Sequence, residues 1–353
     1  MASEKSKASG KNAAYDRLRK AIKEKAPARA YLFYGEESYL RQTYVQQLQA
    51  LLIPRGSEDF NLHRLSGSRV TTQDVADAVE SMPMMAPSTL VTVTDWDIFR
   101  LDESQRSQLT ELLEDLPDYC TVVFIYDTVP YKPDRKMKKL TAAIDKNVEV
   151  VEFQGQSRDA LVRWLQKRFR ALDRSIDQQT ADYMLFYCGS MMDNLIGEVN
   201  KVAAFAKAEQ VTAADIAAVA EPVLDARIFD MTNHISARDY NKAAAVLGDL
   251  LRMQTEPIVI LAAVGKELRR LYTARMALDG GKDRLWLKQL WNMSSDYPAK
   301  LLMQAARKVD HDWCRTAVLR CQQLDRRMKS MSMPDKQKED ELKLFLMELA
   351  GRR

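Results

Sequence analysis

Two hydrophobic rhythms divide the chain. As far as Phe153, short β-branched and aromatic runs alternate with amphipathic stretches. Ala30 to Tyr34 (AYLFY), Leu90 to Thr94 (LVTVT), Thr121 to Tyr126 (TVVFIY) and Val148 to Phe153 (VEVVEF) read as strands with turn-like ends, and Asn61 to Leu65 as a shorter one. Stretches 38–52, 72–82, 103–115 and 134–145 between them carry helical periodicity. Such alternation predicts a parallel sheet with helices on both faces.

After Phe153 the strand rhythm stops. Segments 158–170, 178–187, 193–207 and 212–219 read as helices, the last opening on a capping-box-like Thr-Ala-Ala-Asp. Glu221-Pro222 breaks this block. Longer amphipathic helices follow over roughly 225–235, 239–252, 257–278, 283–292, 296–307, 311–331 and 335–350. The fold class is therefore α/β, then all-α. It divides into an α/β domain over 1–153, a small helical domain over 154–222 and a larger helical domain over 223–353.

Length and charge sharpen this picture. A chain of 353 residues exceeds one ordinary domain, and 46% hydrophobic with 29% charged residues suffices for packed cores. The net charge of +4 is concentrated in residues 1–26, where eight Lys/Arg face three acids. The rest is nearly neutral, which argues against a dedicated, strongly basic nucleic-acid binder. Residues 1–26 read as a basic, partly mobile leader whose helix, Ala13 to Lys25, docks at the sheet edge. No run of 18 apolar residues is present, so no membrane span is expected. The polar N-terminus lacks a secretion signal, and the four cysteines suit a reducing compartment. A cytoplasmic location is expected.

Catalytic chemistry is sparse. The loop after the first strand, Gly35-Glu36-Glu37-Ser38-Tyr39-Leu40-Arg41, holds one Gly, no GK[ST] and two carboxylates where a polyphosphate would lie. Acids in a first helical turn complement the helix dipole and repel a nucleotide. Asp95 and Asp127 end strands and read as turn formers. His63, His234 and His311 stand far apart, and Cys314 and Cys321 share a helix face as packing residues. No catalytic, cofactor or metal site is expected.

The segment Thr72 to Leu90 carries more information. Val75, Val79 and Met82 face one side of a helix that Pro83 ends, and Met84 and Met85 follow on a turn stiffened by Pro87. Two readings of the Met pair stand. Either it tucks beneath the helix, or it projects as an apolar plug for a partner's pocket.

Several stretches together resemble the delta subunit of the bacterial DNA polymerase III clamp loader. They are AYLFYGEESYL, MPMMAPSTLVTVTD, DRKMKKL (Asp134 to Leu140, as a basic helix), the spacing Gly189, Leu195, Glu198, Lys201, and LDRRMKS (Leu324 to Ser330). Met191 stands where that pattern commonly has Asp. The resemblance implies an ATPase-like domain of AAA+ type without a phosphate loop, a small helical lid and a C-terminal helical collar. It implies that Met84 and Met85, flanked by Ser81, Met82, Pro83 and Ala86, bind the beta sliding clamp and help to open it for loading onto primed DNA. ATP hydrolysis would belong to partner subunits of tau/gamma and delta-prime type, met through the collar. Two basic groups, Arg135, Lys136, Lys138 and Lys139, and Arg326, Arg327 and Lys329, are either solvated faces or contacts to primer–template phosphates. Competing readings are an active ATPase of the same fold and a stand-alone DNA-binding protein.

Overall fold

The structure, a computed structural model, describes residues 2–293, 296–330 and 333–351. Met1 of the leader and the last residue of the helix predicted over 311–331 lie outside the described residues. The chain forms two compact units, 1–156 with 191–193, and 157–190 with 194–353.

Unit 1 is an α/β domain. Helix α1 (Ala2–Lys23) precedes β1 (Ala30–Tyr34), α2 (Ser38–Leu52), α3 (Glu58–Asn61) and β2 (Leu62–Ser66). Then come α4 (Thr72–Glu80), β3 (Thr89–Thr94), α5 (Glu103–Glu114), β4 (Cys120–Ile125), α6 (Lys138–Asn147) and β5 (Glu149–Glu152). The five strands are all parallel, in the order β2-β3-β4-β1-β5. The central strands are apolar on both faces because helices cover both. On one face Leu32, Val91, Val93, Val122 and Phe124 meet Val75 and Val79 of α4, Leu109 and Leu113 of α5, and Leu140 and Ile144 of α6. On the other, Tyr31, Phe33, Leu90, Val123, Val151 and Phe153 meet Ala14 and Leu18 of α1 and Leu48 of α2.

Several boundaries differ from the sequence pattern: α4 ends at Glu80, so Met82 lies beyond the helix and not on its apolar face. The leader is helical from Ala2, not from Ala13. A short helix, α3, occupies 58–61, so β2 begins at Leu62. Helix α6 begins at Lys138, because Asp134 Oδ1 accepts from the Lys136 N–H at 2.9 Å and the Met137 N–H reaches the Asp134 carbonyl at 3.1 Å. Asp134 and its neighbours thus close a turn that precedes the helix.

Unit 2 is helical. It holds α7 (Arg158–Arg170), α8 (Gln178–Cys188), α9 (Met192–Phe205), α10 (Ala213–Val219), α11 (Leu224–Ser236) and α12 (Tyr240–Arg252). After these come α13 (Pro257–Asp279), α14 (Arg284–Leu290), α15 (Asp296–Ala306), α16 (His311–Ser330) and α17 (Asp335–Ala350). Ser157, Asp177 and Thr212 cap α7, α8 and α10 through their side chains. Gly189 ends α8 at φ 85, Leu195 is buried, and Glu198 pairs with Lys201 at 2.8 Å while accepting the Glu221 N–H at 3.1 Å. Helix α16 buries Cys314, Ala317, Cys321, Leu324 and Met328, one face at heptad-like spacing. A Cβ at Gly265 of α13 would stand 3.0 Å from Cys321 Sγ, so glycine permits the close approach of α13 and α16 there.

Candidate functional site

The chemistry that the chain offers lies at the exit of α4. Thr71 Oγ1 accepts from the Asp74 N–H at 3.1 Å, and Asp74 Oδ2 accepts from the Thr71 N–H at 2.8 Å. This capping box fixes the helix start. At its other end the Tyr119 hydroxyl donates to the Glu80 carbonyl at 3.0 Å, and Pro83 forbids continuation. The chain then turns outward. Met82, Met84 and Met85 are 76%, 53% and 82% exposed, while Ser81, Pro83 and Ala86 are half-buried. The Met pair is therefore not tucked beneath α4.

The turn is held from below. Asn61 is fully buried, and its Nδ2 donates to the carbonyls of Met84 and Ser57, each at 2.8 Å. Its Oδ1 accepts from the Met84 N–H at 2.8 Å. Met85 sits at φ 54, a left-handed conformation that costs a non-glycine residue on the order of 1 kcal/mol. Sequence reasoning missed Asn61, taking it as the first residue of a strand, and did not single out Tyr119. The cue for Asn61 is chemical: a carboxamide carries both donor and acceptor and can pair with a whole peptide unit.

The loop after β1 is held by contacts within the protein. Gly35 adopts φ 122, and a Cβ there would lie 2.3 Å from the Phe153 carbonyl oxygen. Glu36 Oε1 accepts from the Gly155 N–H at 3.0 Å. Glu37 is fully buried, and burial raises its carboxyl pKa. The Met192 N–H donates to Glu37 Oε2 at 3.5 Å, so Glu37 stands where Met191 offers no cap, but Oε1 has no partner among the described residues. Arg41, the cation of this loop, is buried, donates to the Gly35 carbonyl at 2.7 Å and ion-pairs with Asp127. Asp95 accepts from the N–H groups of Asp127, Thr128 and Val129 at 2.8, 2.9 and 3.1 Å and from the Thr128 hydroxyl at 2.7 Å. Burial opposes its ionisation, but the Thr128 hydroxyl and these N–H groups prevail and lower its pKa. Glu36 and Asp95 thus occupy the donors of Gly155 and of residues 127–129, and Arg41 is engaged with protein atoms.

The two basic groups differ. Arg135 and Lys136 lie in the turn before α6, and Lys138 and Lys139 in its first helical turn. The single helix expected over Asp134 to Leu140 is therefore a turn followed by a helix start. All four side chains are exposed, and none pairs with an acid among the described residues. Helix α6 has no acid in its first turn, so Lys138 and Lys139 oppose the helix dipole at a cost of some tenths of a kcal/mol each. In the second group all three are exposed; Arg327 pairs with Glu341 and Lys329 with Asp325 at 2.8 Å, whereas Arg326 pairs with no acid among the described residues. Arg326 and Arg327 line a groove of about 670 Å³ between α16 and α17, with Leu344 and Phe345.

Among the described residues no group of three or more His, Cys, Asp or Glu is placed to hold a metal ion. No described helix is long and apolar enough to cross a membrane. Cys314 and Cys321 are buried, and burial pushes their thiols up to about 12 and about 11.

Comparison with known proteins adds a family. Residues 31–154 match the family DNA polymerase III, delta subunit, and residues 225–349 match the DNA polymerase III delta subunit, C-terminal domain. DNA polymerase III subunit delta of Bacillus subtilis (strain 168) is 24% identical over 342 residues, 94% of this chain and 96% of that protein. A probable DNA polymerase III subunit delta of Aquifex aeolicus (strain VF5) is 20% identical over 270 residues, 72% of this chain and 73% of that one. The solved Bacillus subtilis DNA clamp loader delta protein is 21% identical, with a TM-score of 0.50 over 96% of this chain and 100% of that chain. That likeness bears on the fold.

Proposed function

The chain belongs to the DNA polymerase III delta subunit family, and from that premise we propose that it binds and opens the beta sliding clamp for loading onto primed DNA, without hydrolysing ATP itself. The observation that carries this reading is the exposure of Met84 and Met85 on an anchored turn. An apolar pair held in water gains most by entering a partner's pocket, and thioethers adapt to its shape. Ser81, Met82, Pro83 and Ala86 form the rim of this contact. Binding moves a closed ring toward an opened one only by differential affinity, so the edge must fit the opened clamp interface better. The blocked loop at 35–41 supports assigning hydrolysis to other subunits, of tau/gamma and delta-prime type. In this reading residues 1–153 are the clamp-binding ATPase-like domain, 154–222 the lid and 223–353 the collar that meets those subunits. Primer–template DNA contacts the basic groups.

The test is capture of purified sliding clamp by the full chain and by a Met84→Asp, Met85→Asp double variant. Anchors of this type commonly cost about 2 kcal/mol or more each on truncation, so capture by the variant should disappear. Its melting curve should match that of the parent, because neither side chain is in the core. Undiminished capture sinks the proposal.

A further inference from the structure

We propose that Asn61 is the positioning residue of the methionine edge: its carboxamide pairs with both polar backbone atoms of Met84 and so presents Met84 and Met85 in a preset conformation. The inference deepens the clamp-binding reading and rests on it for the identity of the partner. Three observations carry it. Asn61 is fully buried, yet two of its three hydrogen bonds go to one residue of an exposed turn. The side chains of that turn contribute little to the core, since Met84 is 53% and Met85 82% exposed. Met85 is held at φ 54, a strained conformation that persists only where its surroundings fix it.

A buried amide with donor and acceptor aimed at one residue acts as a strand edge would, but for a single residue. It fixes the Met84 backbone and leaves both thioethers free. The Ser57 carbonyl, 2.8 Å from Nδ2, fixes the amide in turn and sets which end faces which atom. Thr89 continues the anchorage, its N–H donating to the Tyr119 carbonyl at 2.8 Å. A pair preset in this way loses less conformational freedom on binding than one on a loose turn.

The experiment uses the full chain and two readouts. The first is amide hydrogen exchange, which needs no partner. In the parent protein the Met84 N–H should be protected although its side chain is exposed. In Asn61→Ala, exchange over 82–86 should accelerate about tenfold or more, while β1, β3 and β4 keep their protection. The second is affinity for purified sliding clamp, which should fall about tenfold in Asn61→Ala through the ordering cost restored to the turn. Asn61→Ser keeps a neutral donor and acceptor in the pocket but is too short to pair with both polar backbone atoms of Met84. It should lie between the other two in both readouts, and it serves if the alanine variant does not fold. Unprotected Met84 in the parent chain, parental clamp affinity in Asn61→Ala, or loss of protection spread through the whole sheet in both variants would each overturn the assignment. Should the Met84→Asp, Met85→Asp variant still bind clamp, the partner is wrong, and exchange at Met84 still decides the role of Asn61.

Discussion

Carboxylates near the loop after β1 show how much a few donors decide. Glu36 and Asp95 receive N–H groups, whereas Glu37 is fully buried with Oε1 unpartnered among the described residues. Burial raises the pKa of Glu37 above its ordinary 4.5, with the Met192 N–H and Arg41 working against that. A carboxyl whose folded pKa is raised favours folding most below its unfolded value, and that contribution is lost as pH rises through the folded value. Wherever the group is ionised in the folded chain it is thus a burden on unit 1. Glu37→Gln keeps the shape and removes the charge. Its stability relative to the parent should rise with pH, since only the parent carboxyl loses a stabilising proton as pH rises. Denaturant titrations at pH 7 and pH 5 check this, and a difference from the parent that does not grow in the variant's favour from pH 5 to pH 7 would contradict it. The same substitution should not create nucleotide binding, because Arg41 stays committed to Asp127 and the Gly35 carbonyl.

Helix α1 separates burial from charge as sources of stability. Leu18 is 2% exposed against the face formed by Tyr31, Phe33 and Phe153, while Arg17 reaches Glu149 at 2.8 Å on an exposed surface. Leu18→Ala should cost about 2–4 kcal/mol, and Arg17→Ala under about 1 kcal/mol, because water screens the ion pair and the cavity has no substitute. Chemical unfolding of both variants measures the contrast, and equal losses would refute it. Such elements are unequally legible in the sequence. Strands β1, β3 and β4 are continuous apolar runs, so their pattern suffices within a residue or so. Helix α1 is visible only from Ala13, since the residues before it carry no apolar stripe. Four-residue α3 is too short for a period, and overlooking it shifts β2 by one position. The start of α6 is misplaced because Asp134 bonds its own following backbone. Within the site, prolines flag the Met pair, but Asn61 lies 23 residues from Met84 in the chain, and no local pattern joins them. Tyr119, 39 residues from Glu80, is hidden for the same reason.

Over the whole molecule, net charge is a poor guide to where a polyanion would be met. The chain totals +4, less than the +5 of its leader, but the cations that count are those without a local acid. Arg135, Lys136, Lys138 and Lys139 are exposed and unpaired among the described residues, and the two lysines occupy a helix start that disfavours them. Arg327 and Lys329 are balanced by Glu341 and Asp325, so in their group Arg326 alone is unmatched among the described residues. If primer–template phosphates are a ligand of the assembled loader, replacing the first four by Ala should weaken DNA binding at low salt. It should also flatten the dependence of log affinity on log salt by as much as about 0.9 for each phosphate no longer neutralised. Replacing Arg326, Arg327 and Lys329 should flatten it less, because part of their charge is already neutralised within unit 2. The first variant should also melt no lower than the parent, since removing cations from the first turn of α6 relieves an unfavourable dipole interaction, so weaker binding in it cannot be ascribed to unfolding. A salt dependence unchanged by the first replacement, or changed more by the second, would mark the turn before α6 as a solvated face and move the DNA contact elsewhere.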